Sequence, residues 1–247
     1  MPRHCLMGRI TGGGRAMRRL AAAILAGGLL LAALPLAAGA AGTAIPAAAR
    51  NYRVLLTREA RLVWGINAPV ATFAAQIHAE SAWNIRAVSP AGAQGLAQFM
   101  PSTAAWISEL FPDLRTGKPG MGTGREEDGT PSLPLGRAEQ PFSPHWAVRA
   151  MLRYDDWLFA RVTALSACER MAFALCAYNG GLGWVKRDKR LARNKGIDPE
   201  QYWGGVETVN AGRSAANFRE NRDYPRRILL RLEPVYEAAG WGGGMCP

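Results

Sequence analysis

One acidic side chain, Glu80, has neighbours in the sequence that could give it a role in proton transfer. If the residues from Pro69 to Ala82 form a helix, Val70, Phe73 and Ile77 share an apolar face, because positions three and four apart are neighbours on a helix surface. Glu80 follows Ile77 by three residues, so it lies on this face and near the helix C-terminus. Burial and the negative end of the helix dipole both disfavour a carboxylate, so we expect a pKa above the ordinary value of about 4.3. A carboxyl group that keeps its proton near neutral pH can act as a general acid.

Helix spacing alone leaves a second interpretation open, in which Glu80 is an acid at a helix end bonded to Arg86. The segment that follows Glu80 favours the chemical role. From Ser89 to Pro101 it reads S-x-x-G-A-x-G-L-x-Q-x-M-P, with two glycines for tight turns and a proline suited to the first turn of a helix. It contains neither a Walker sequence nor G-x-G-x-x-G, so a phosphate-binding loop is not indicated.

Together with the preceding Glu-Ser pair, this segment resembles the signature of the lytic transglycosylases, the soluble-lytic-transglycosylase (SLT)-like branch of the lysozyme superfamily. The resemblance implies that Glu80 is the sole catalytic acid and base. It also implies that three neighbouring residues bind substrate: Ser81, Gly95 and Gln98. Two positions depart from the usual pattern, since Ile85 replaces a proline and Ala97 replaces a larger residue such as methionine. Neither position carries a reacting group, so the departures concern the shape of the substrate subsites.

Two later segments resemble the rest of the same signature. Ala177-Tyr178-Asn179 matches an A-Y-N motif, which implies that Tyr178 and Asn179 bind substrate. The residues from Glu220 to Tyr224 match E-x-R-x-Y, which implies that the Tyr224 hydroxyl approaches Glu80, with Glu220 and Arg222 in support. Taken singly, the first motif is an ordinary helix terminus and Tyr224 is an ordinary core aromatic. The occurrence of all the motifs in family order favours the functional interpretation.

Helical spacing and capping residues predict a mainly α protein, because alternating strand patterns are scarce. The predicted helices are Tyr52 to Trp64, Pro69 to Ala82, Pro101 to Leu110, Ser143 to Val162, Ser166 to Tyr178, a short helix starting at Asp198-Pro199, and a helical part from Ser214 to Trp241 in which Pro225 starts the last helix. The resemblance implies a lysozyme-like (SLT-type) helical domain over residues 51–247. Residues 111–142 are rich in Pro and Gly and lack any period, so we predict a long irregular insertion there.

Residues 1–40 predict a secretory signal peptide, followed by a linker over residues 41–50. They contain five arginines and no acid, an apolar run from Leu20 to Leu36, and the small residues Ala38-Gly39-Ala40. We therefore expect export to the periplasm or cell envelope. Two alternatives remain open, a buried helix and a retained anchor that gives transient membrane contact. Removing these five arginines reduces the net charge from +11 to +6, which suits an anionic envelope polymer and also nucleic acid.

The cysteines predict one disulfide bond. Cys168 and Cys176 are eight residues apart on one predicted helix, a rise of roughly 12 Å, which is too long for a direct bridge. With Asn179 and Tyr224 at the site implied by the resemblance, Cys168 and the tail beyond Trp241 fall at the opposite end. We therefore predict a disulfide between Cys168 and Cys246 and a buried thiol at Cys176, compatible with an oxidising compartment.

Metal chemistry is weakly indicated. His78-Ala79-Glu80 matches the H-x-E half of a zinc deaminase signature, but the P-C-x-x-C half is absent and the chain has three histidines. We predict no metal and no cofactor, and we interpret His78 as structural. The basic run from Lys186 to Lys195 is interpreted as a solvated helix face, with an anionic-polymer site as the alternative.

The absence of any Asp or Glu between Ser81 and Ser108 argues against a local pair of catalytic carboxylates. The resemblance implies a lytic transglycosylase that cleaves peptidoglycan between N-acetylmuramic acid and N-acetylglucosamine and leaves 1,6-anhydromuramic acid ends. Its predicted partner is the glycan strand, and nucleic acid is not expected. The alternatives are a hydrolytic muramidase, a non-catalytic wall-binding protein and, on charge alone, a nucleic-acid-binding module.

Overall fold

Eight α-helices make up most of the domain in a computed structural model that describes residues 44–115 and 139–246. In chain order they are α1 (Arg53–Trp64), α2 (Val70–Ser81), α3 (Pro101–Leu110), α4 (Pro144–Phe159), α5 (Ala167–Gly180), α6 (Leu182–Asn194), α7 (Ala215–Pro225) and α8 (Glu233–Ala238). Within these residues the only β pairing is two isolated bridges, which join Gln94 to Val88 and to Phe99. The mainly α prediction is confirmed.

Helix starts follow the capping signals in the sequence. The Ser143 hydroxyl accepts a hydrogen bond from the Trp146 amide, and Pro144 occupies the first turn of α4. The Ser166 hydroxyl accepts in the same way from the Glu169 amide at the start of α5. Both caps use an oxygen to satisfy an amide that has no partner inside the helix, so these boundaries were predictable.

Two predicted elements differ from the structure. Residues 199–205 form turns in place of the predicted helix, and a 3-10 helix, Val206–Thr208, follows them. Pro225 does not start the last helix but ends α7, and the chain continues through a π-helical turn, Arg226–Leu232, into α8. Proline cannot donate a backbone hydrogen bond and clashes with the preceding turn, and a wider turn is one way for a helix to continue past it.

The structure describes the predicted linker and the predicted insertion only in part. The predicted signal peptide over residues 1–40 and most of the predicted insertion lie outside the described residues. The predicted linker is described from residue 44, and there Ala47–Tyr52 forms a 3-10 helix with Ala49 buried against the core. Within the described residues, no helix is long and apolar enough to cross a membrane.

Helix α5 forms the centre of the core, because every side chain from Met171 to Ala177 is buried. Helix α2 is buried from Val70 to His78 and ends at the same side of the domain as α5. Around them, α1 and α4 are joined by a two-pronged ion pair, in which Arg149 donates to both carboxylate oxygens of buried Glu59 at 2.8 and 3.0 Å. The arrangement brings the C-terminal ends of α2 and α5 together.

The opposite side of the domain is closed by the predicted disulfide, which is confirmed. Cys168 at the start of α5 is bonded to Cys246, with their Cα atoms 4.7 Å apart, and Cys176 is a buried free thiol. The tail before Cys246 also binds α2, since the Met245 amide donates to the Thr72 hydroxyl at 2.9 Å. The C-terminal tail therefore fixes the end of α2 that is remote from Glu80.

Candidate active site

Glu80 lies in the last turn of α2, where the helix ends abruptly. Ala82 and Trp83 both adopt left-handed backbone conformations, with φ of 48° and 66°, so the chain reverses direction at once. The turn is anchored because the Trp83 ring is buried and its Nε1 donates a hydrogen bond to the Tyr236 hydroxyl at 2.6 Å. The Glu80 side chain is left partly exposed at the open end of the helix.

The closest hydrogen-bond partner of Glu80 is a tyrosine from α7, as the resemblance implied. The Tyr224 hydroxyl donates to Glu80 Oε1 at 2.5 Å. The ring of Tyr178 lies parallel to that of Tyr224, with centroids 6.5 Å apart, and its hydroxyl donates to the Ala97 carbonyl oxygen at 2.8 Å. Residues from α2, α5, α7 and the loop after α2 therefore meet around one carboxyl group.

Burial is the main influence on the protonation of Glu80. It raises the pKa of Glu80 from 4.5 to about 8, and the like charge of Glu220 adds to the rise. The Tyr224 hydrogen bond and the positive charge of Arg227 oppose it and lower the pKa. Burial also raises the pKa of Tyr224 well above its ordinary value, so the hydroxyl keeps its proton and acts as a donor. The site thus holds a carboxyl group that is protonated at neutral pH.

Three residues predicted to bind substrate make contacts that hold the loop after α2. The Ser81 hydroxyl donates to the Leu96 carbonyl oxygen at 2.9 Å, and Gln98 Nε2 donates to the Gly95 carbonyl oxygen at 2.9 Å. Gly95 has a φ of 73°, and a Cβ atom there would lie 1.7 Å from the Pro141 carbonyl oxygen. These contacts make the loop rigid. Direct substrate binding by Ser81, Gly95 and Gln98 stays a prediction.

Asn179 lies where α5 and α7 cross. Its Oδ1 accepts from Asn221 Nδ2 at 2.9 Å, and its own Nδ2 donates to Glu220 Oε1 at 3.5 Å. A Cβ atom on Gly180 would lie 2.7 Å from Asn221 Nδ2, so a side chain there would displace the amide that bonds Asn179. The small residue in the Tyr-Asn-Gly sequence therefore leaves room for the Asn221 amide where α5 and α7 cross. The partly exposed Asn179 is held beside the site.

Arg222 is buried away from Glu80 in an ionic cluster. It donates to Asp188 Oδ2 at 2.7 Å and to the carbonyl oxygens of Glu207 and Val209, both at 2.9 Å. Arg213 donates to the same Asp188 oxygen at 2.5 Å. The structure places Arg222 as an anchor of α7, the helix that carries Tyr224.

Sequence reasoning missed one acid near the site. Asp155 on α4 is fully buried, and its Oδ1 accepts from Gln76 Nε2 at 3.3 Å. Burial raises the pKa of Asp155 well above its ordinary value, and the negative charge of Glu80 adds to the rise. The signal was present, because Asp155 is four residues after Met151 and three before Leu158, on the buried face of α4. An apolar stripe that contains an acid indicates a buried carboxyl group.

The structural interpretation of His78 agrees with its surroundings. Its Nδ1 lies 3.2 Å from the Tyr236 hydroxyl, and burial lowers its pKa to about 4. Among residues 44–115 and 139–246, no group of three His, Cys, Asp or Glu side chains could hold a metal ion. The basic face of α6 is exposed at Lys186 and Arg190, while Val185 points into the core.

Comparison with known proteins finds a family model and several curated proteins that are similar to this sequence. Residues 59–116, which include Glu80 and the loop through Gln98, match the sequence model of the transglycosylase SLT domain. The chain is 28% identical over 130 residues to membrane-bound lytic murein transglycosylase F of Pasteurella multocida, and 26% identical over 137 residues to the protein of that name from Shewanella pealeana. These matches cover 52% and 55% of the chain and 20% and 22% of the relatives. The chain thus spans about a fifth of the length of these curated relatives.

Solved structures show the same fold. The chain superposes on the 70 kDa soluble lytic transglycosylase Slt70 of Escherichia coli with a TM-score of 0.52 and 21% identity, over 78% of this chain and 25% of that one. An inactive mutant of lytic transglycosylase Slt from Pseudomonas aeruginosa gives a TM-score of 0.50 and 22% identity, over 79% and 25%. The predicted lysozyme-like, SLT-type helical fold is confirmed.

Proposed function

We propose that the chain, which resembles the SLT-like proteins of the lysozyme superfamily in sequence and fold, is a peptidoglycan lytic transglycosylase. In this proposal it cleaves the β-1,4 bond between N-acetylmuramic acid and N-acetylglucosamine and leaves a 1,6-anhydromuramic acid end. The observation that carries the proposal is the pair formed by Glu80 and Tyr224, in which a carboxyl group with a pKa of about 8 accepts a tyrosine hydrogen bond at the open end of α2.

The proposed mechanism uses Glu80 twice. In the first step its carboxyl proton passes to the glycosidic oxygen, the bond to the muramic acid C1 breaks, and the N-acetyl oxygen of the substrate stabilises the positive charge at C1. In the second step the Glu80 carboxylate removes the proton from the C6 hydroxyl, whose oxygen bonds to C1 and closes the anhydro ring. Tyr224 supports the first step, because its hydrogen bond stabilises the carboxylate that forms when Glu80 gives up its proton.

A hydrolytic muramidase is the second candidate, and Glu220 is the observation that favours it. Hydrolysis requires a water molecule and in most glycosidases a second carboxylate. Glu220 is partly exposed and near enough to raise the pKa of Glu80 by its charge, so in this candidate function it is the carboxylate that activates water. It also accepts a hydrogen bond from Asn179, which places it at the crossing of α5 and α7.

Product analysis distinguishes these candidates. Purified peptidoglycan is digested with wild type, Glu80→Gln and Glu220→Gln proteins, and the soluble fragments are analysed by mass spectrometry. We expect anhydromuramic ends from wild type and from Glu220→Gln, and no fragments from Glu80→Gln. Reducing muramic ends that disappear in Glu220→Gln would establish the muramidase. Unchanged release of fragments by Glu80→Gln would contradict the role of Glu80 as the acid. No fragments from wild type, with retained wall binding, would support the non-catalytic alternative.

Export to the periplasm or cell envelope is part of the proposal. The disulfide between Cys168 and Cys246 supports it, because such bonds persist in oxidising compartments. The relatives named membrane-bound murein transglycosylases also support it. The mass of the N-terminal peptide recovered from the envelope of expressing cells tests the predicted signal peptide. Cleavage near residue 40 gives a mature chain, and an intact N-terminus in the membrane fraction establishes the anchor.

A further inference from the structure

Asp155 is a buried acid that forms no ion pair with any residue that the structure describes. Its side chain and that of Gln76 are both fully buried, and the ion pairs among the described residues involve other acids. The pair has one hydrogen bond, from Gln76 Nε2 to Asp155 Oδ1. An ionised carboxylate in such a position would carry a large desolvation cost without a compensating charge.

The two remaining oxygen atoms of the pair have no partner. Both Gln76 Oε1 and Asp155 Oδ2 are buried and accept no hydrogen bond. Buried polar atoms in proteins are nearly always hydrogen-bonded, so two orphaned oxygens on one bonded pair require an explanation. A single proton on Asp155 Oδ2 provides it, because a planar acid facing a planar amide can form two parallel hydrogen bonds, O–H to the amide oxygen and N–H to the acid carbonyl.

We propose that Asp155 is a neutral acid at physiological pH, doubly hydrogen-bonded to the Gln76 amide, and that it acts as a positioning residue for Glu80. Gln76 and Glu80 are four residues apart on α2 and share one face of the helix. The pair joins this turn of α2 to α4, so it fixes the distance of Glu80 from the helix behind it. This role rests on the proposed function, but the protonation of Asp155 does not.

The neutral state of Asp155 affects the pKa of Glu80, which also depends on groups on several other elements. Tyr178 on α5 and Tyr224 on α7 are neutral donors, Glu220 on α7 is an acid, and Arg227 in the π-helical turn is a cation. An ionised Asp155 would add a second negative charge and raise the pKa of Glu80 further. It would also provide the second carboxylate of an ordinary glycosidase. A neutral, fully buried Asp155 does neither.

Infrared difference spectroscopy tests the protonation directly and requires no activity. Spectra of Glu80→Gln and of the double variant Glu80→Gln/Asp155→Asn are recorded in D2O at pH 7, and because both variants lack Glu80, that residue contributes nothing. We expect the difference to show the carbonyl band of one protonated carboxyl group, lost on replacement of Asp155. A lost carboxylate band at that pH would overturn the proposal.

The role in positioning is tested by comparing two replacements of Asp155 in the cleavage assay. Asparagine preserves the double hydrogen bond as an amide pair, so Asp155→Asn should keep kcat and the alkaline limb of the pH profile. Leucine leaves the Gln76 amide without partners, so Asp155→Leu should lower kcat on the order of 10-fold, through displacement of Glu80, with KM little changed. Equal damage by both replacements would overturn the positioning role.

The pH profile gives a second test of the charge of Asp155. If Asp155 were ionised, Asp155→Asn would remove a negative charge near Glu80 and shift the alkaline limb to lower pH, which would overturn the proposal. Glu220→Gln is the matched control, since loss of that charge should produce this downward shift. If wild type cleaves nothing, the proposed function fails, and the spectroscopic result still decides the state of Asp155.

Discussion

Asp188 on α6 and Glu80 on α2 both accept a hydrogen bond from α7, but Asp188 is bonded to arginines and Glu80 is not. Asp188 is buried between the guanidinium groups of Arg213 and Arg222, with both bonded to one carboxylate oxygen. Glu80 accepts its hydrogen bond from a neutral tyrosine, and the nearby Arg227 is exposed to solvent. Among the described residues, the buried Asp155 accepts a hydrogen bond only from the Gln76 amide.

The difference explains why one acid serves structure and the other is suited to chemistry. A carboxylate that accepts hydrogen bonds from two guanidinium groups serves structure, because it holds α6 and α7 to the segment that carries Arg213. A carboxyl group without a buried cation keeps its proton until the pH approaches its raised pKa, so it can release and recover that proton near neutral pH. The distribution of arginines within one domain therefore separates the two roles.

The largest expected effect is on the proton donor. Glu80→Gln keeps the size of the side chain but removes the proton, so kcat for peptidoglycan cleavage should fall on the order of 10³-fold. The release of soluble fragments from purified wall measures it. Glu109→Gln, an exposed glutamate on α3, is the control and should cleave at the wild-type rate. A loss below about tenfold would show that Glu80 is not the general acid.

The second effect is on stability and concerns Asp188, the acid paired with two arginines. Asp188→Asn removes the charge that compensates Arg213 and Arg222, so the free energy of unfolding should fall by about 3–5 kcal/mol. Urea unfolding followed by circular dichroism measures this loss. Asp113→Asn, in a partly exposed pair with Arg153, should cost at most about 1 kcal/mol. Similar losses in the two variants would contradict the distinction drawn from burial.

A smaller effect on kcat is expected from loss of the Tyr224 hydrogen bond to Glu80. Tyr224→Phe removes the hydrogen bond that lowers the pKa of Glu80, so the alkaline limb of the pH profile should move to higher pH than in wild type. Because the bond also stabilises the carboxylate that forms when Glu80 donates its proton in the first step, kcat should fall on the order of 10-fold. An alkaline limb that stays in place would show that the hydroxyl does not control this proton.

The smallest effect is on stability. The pKa of Glu80 is raised in the folded protein from 4.5 to about 8, so the folded state holds the proton more firmly than the unfolded state does. The stabilisation is fully present below pH 4.5 and is lost as the pH rises through 8. Wild type should therefore lose stability relative to Glu80→Gln over this window, as measured by urea midpoints at several pH values. A constant difference would contradict the raised pKa.

Local chemistry made much of the fold predictable. The helix starts at Ser143 and Ser166 follow from side-chain caps, and the disulfide follows from helix length and from which ends carry the site. The pairing of Glu80 with Tyr224 came from a resemblance, because nothing in local spacing places residues 144 positions apart together. The same reason hid the Asp155–Gln76 pair, although the buried face of α4 indicated an acid in the core.

Other features depend on tertiary contacts that a sequence pattern does not encode. Gln98 has a left-handed φ of 48°, which its side chain stabilises through bonds to the Gly95 and Ala87 carbonyl oxygens. The close approach of Gly95 to Pro141 joins segments far apart in the chain. Helical spacing in the last part of the chain predicted a helix but did not reveal the π-helical turn, because its side chains remain apolar at nearly helical intervals.

That π-helical turn determines how the last two tyrosines face α2. Tyr224 precedes Arg226–Leu232 and bonds Glu80, while Tyr236 follows it and bonds Trp83. Each residue of a regular helix adds about 100° of rotation, so deleting one residue from the turn would swing one tyrosine out of phase with the other. The segment should accept many replacements at the exposed Leu230 but no change in its length. Its length, more than its composition, sets the angle between the two tyrosines.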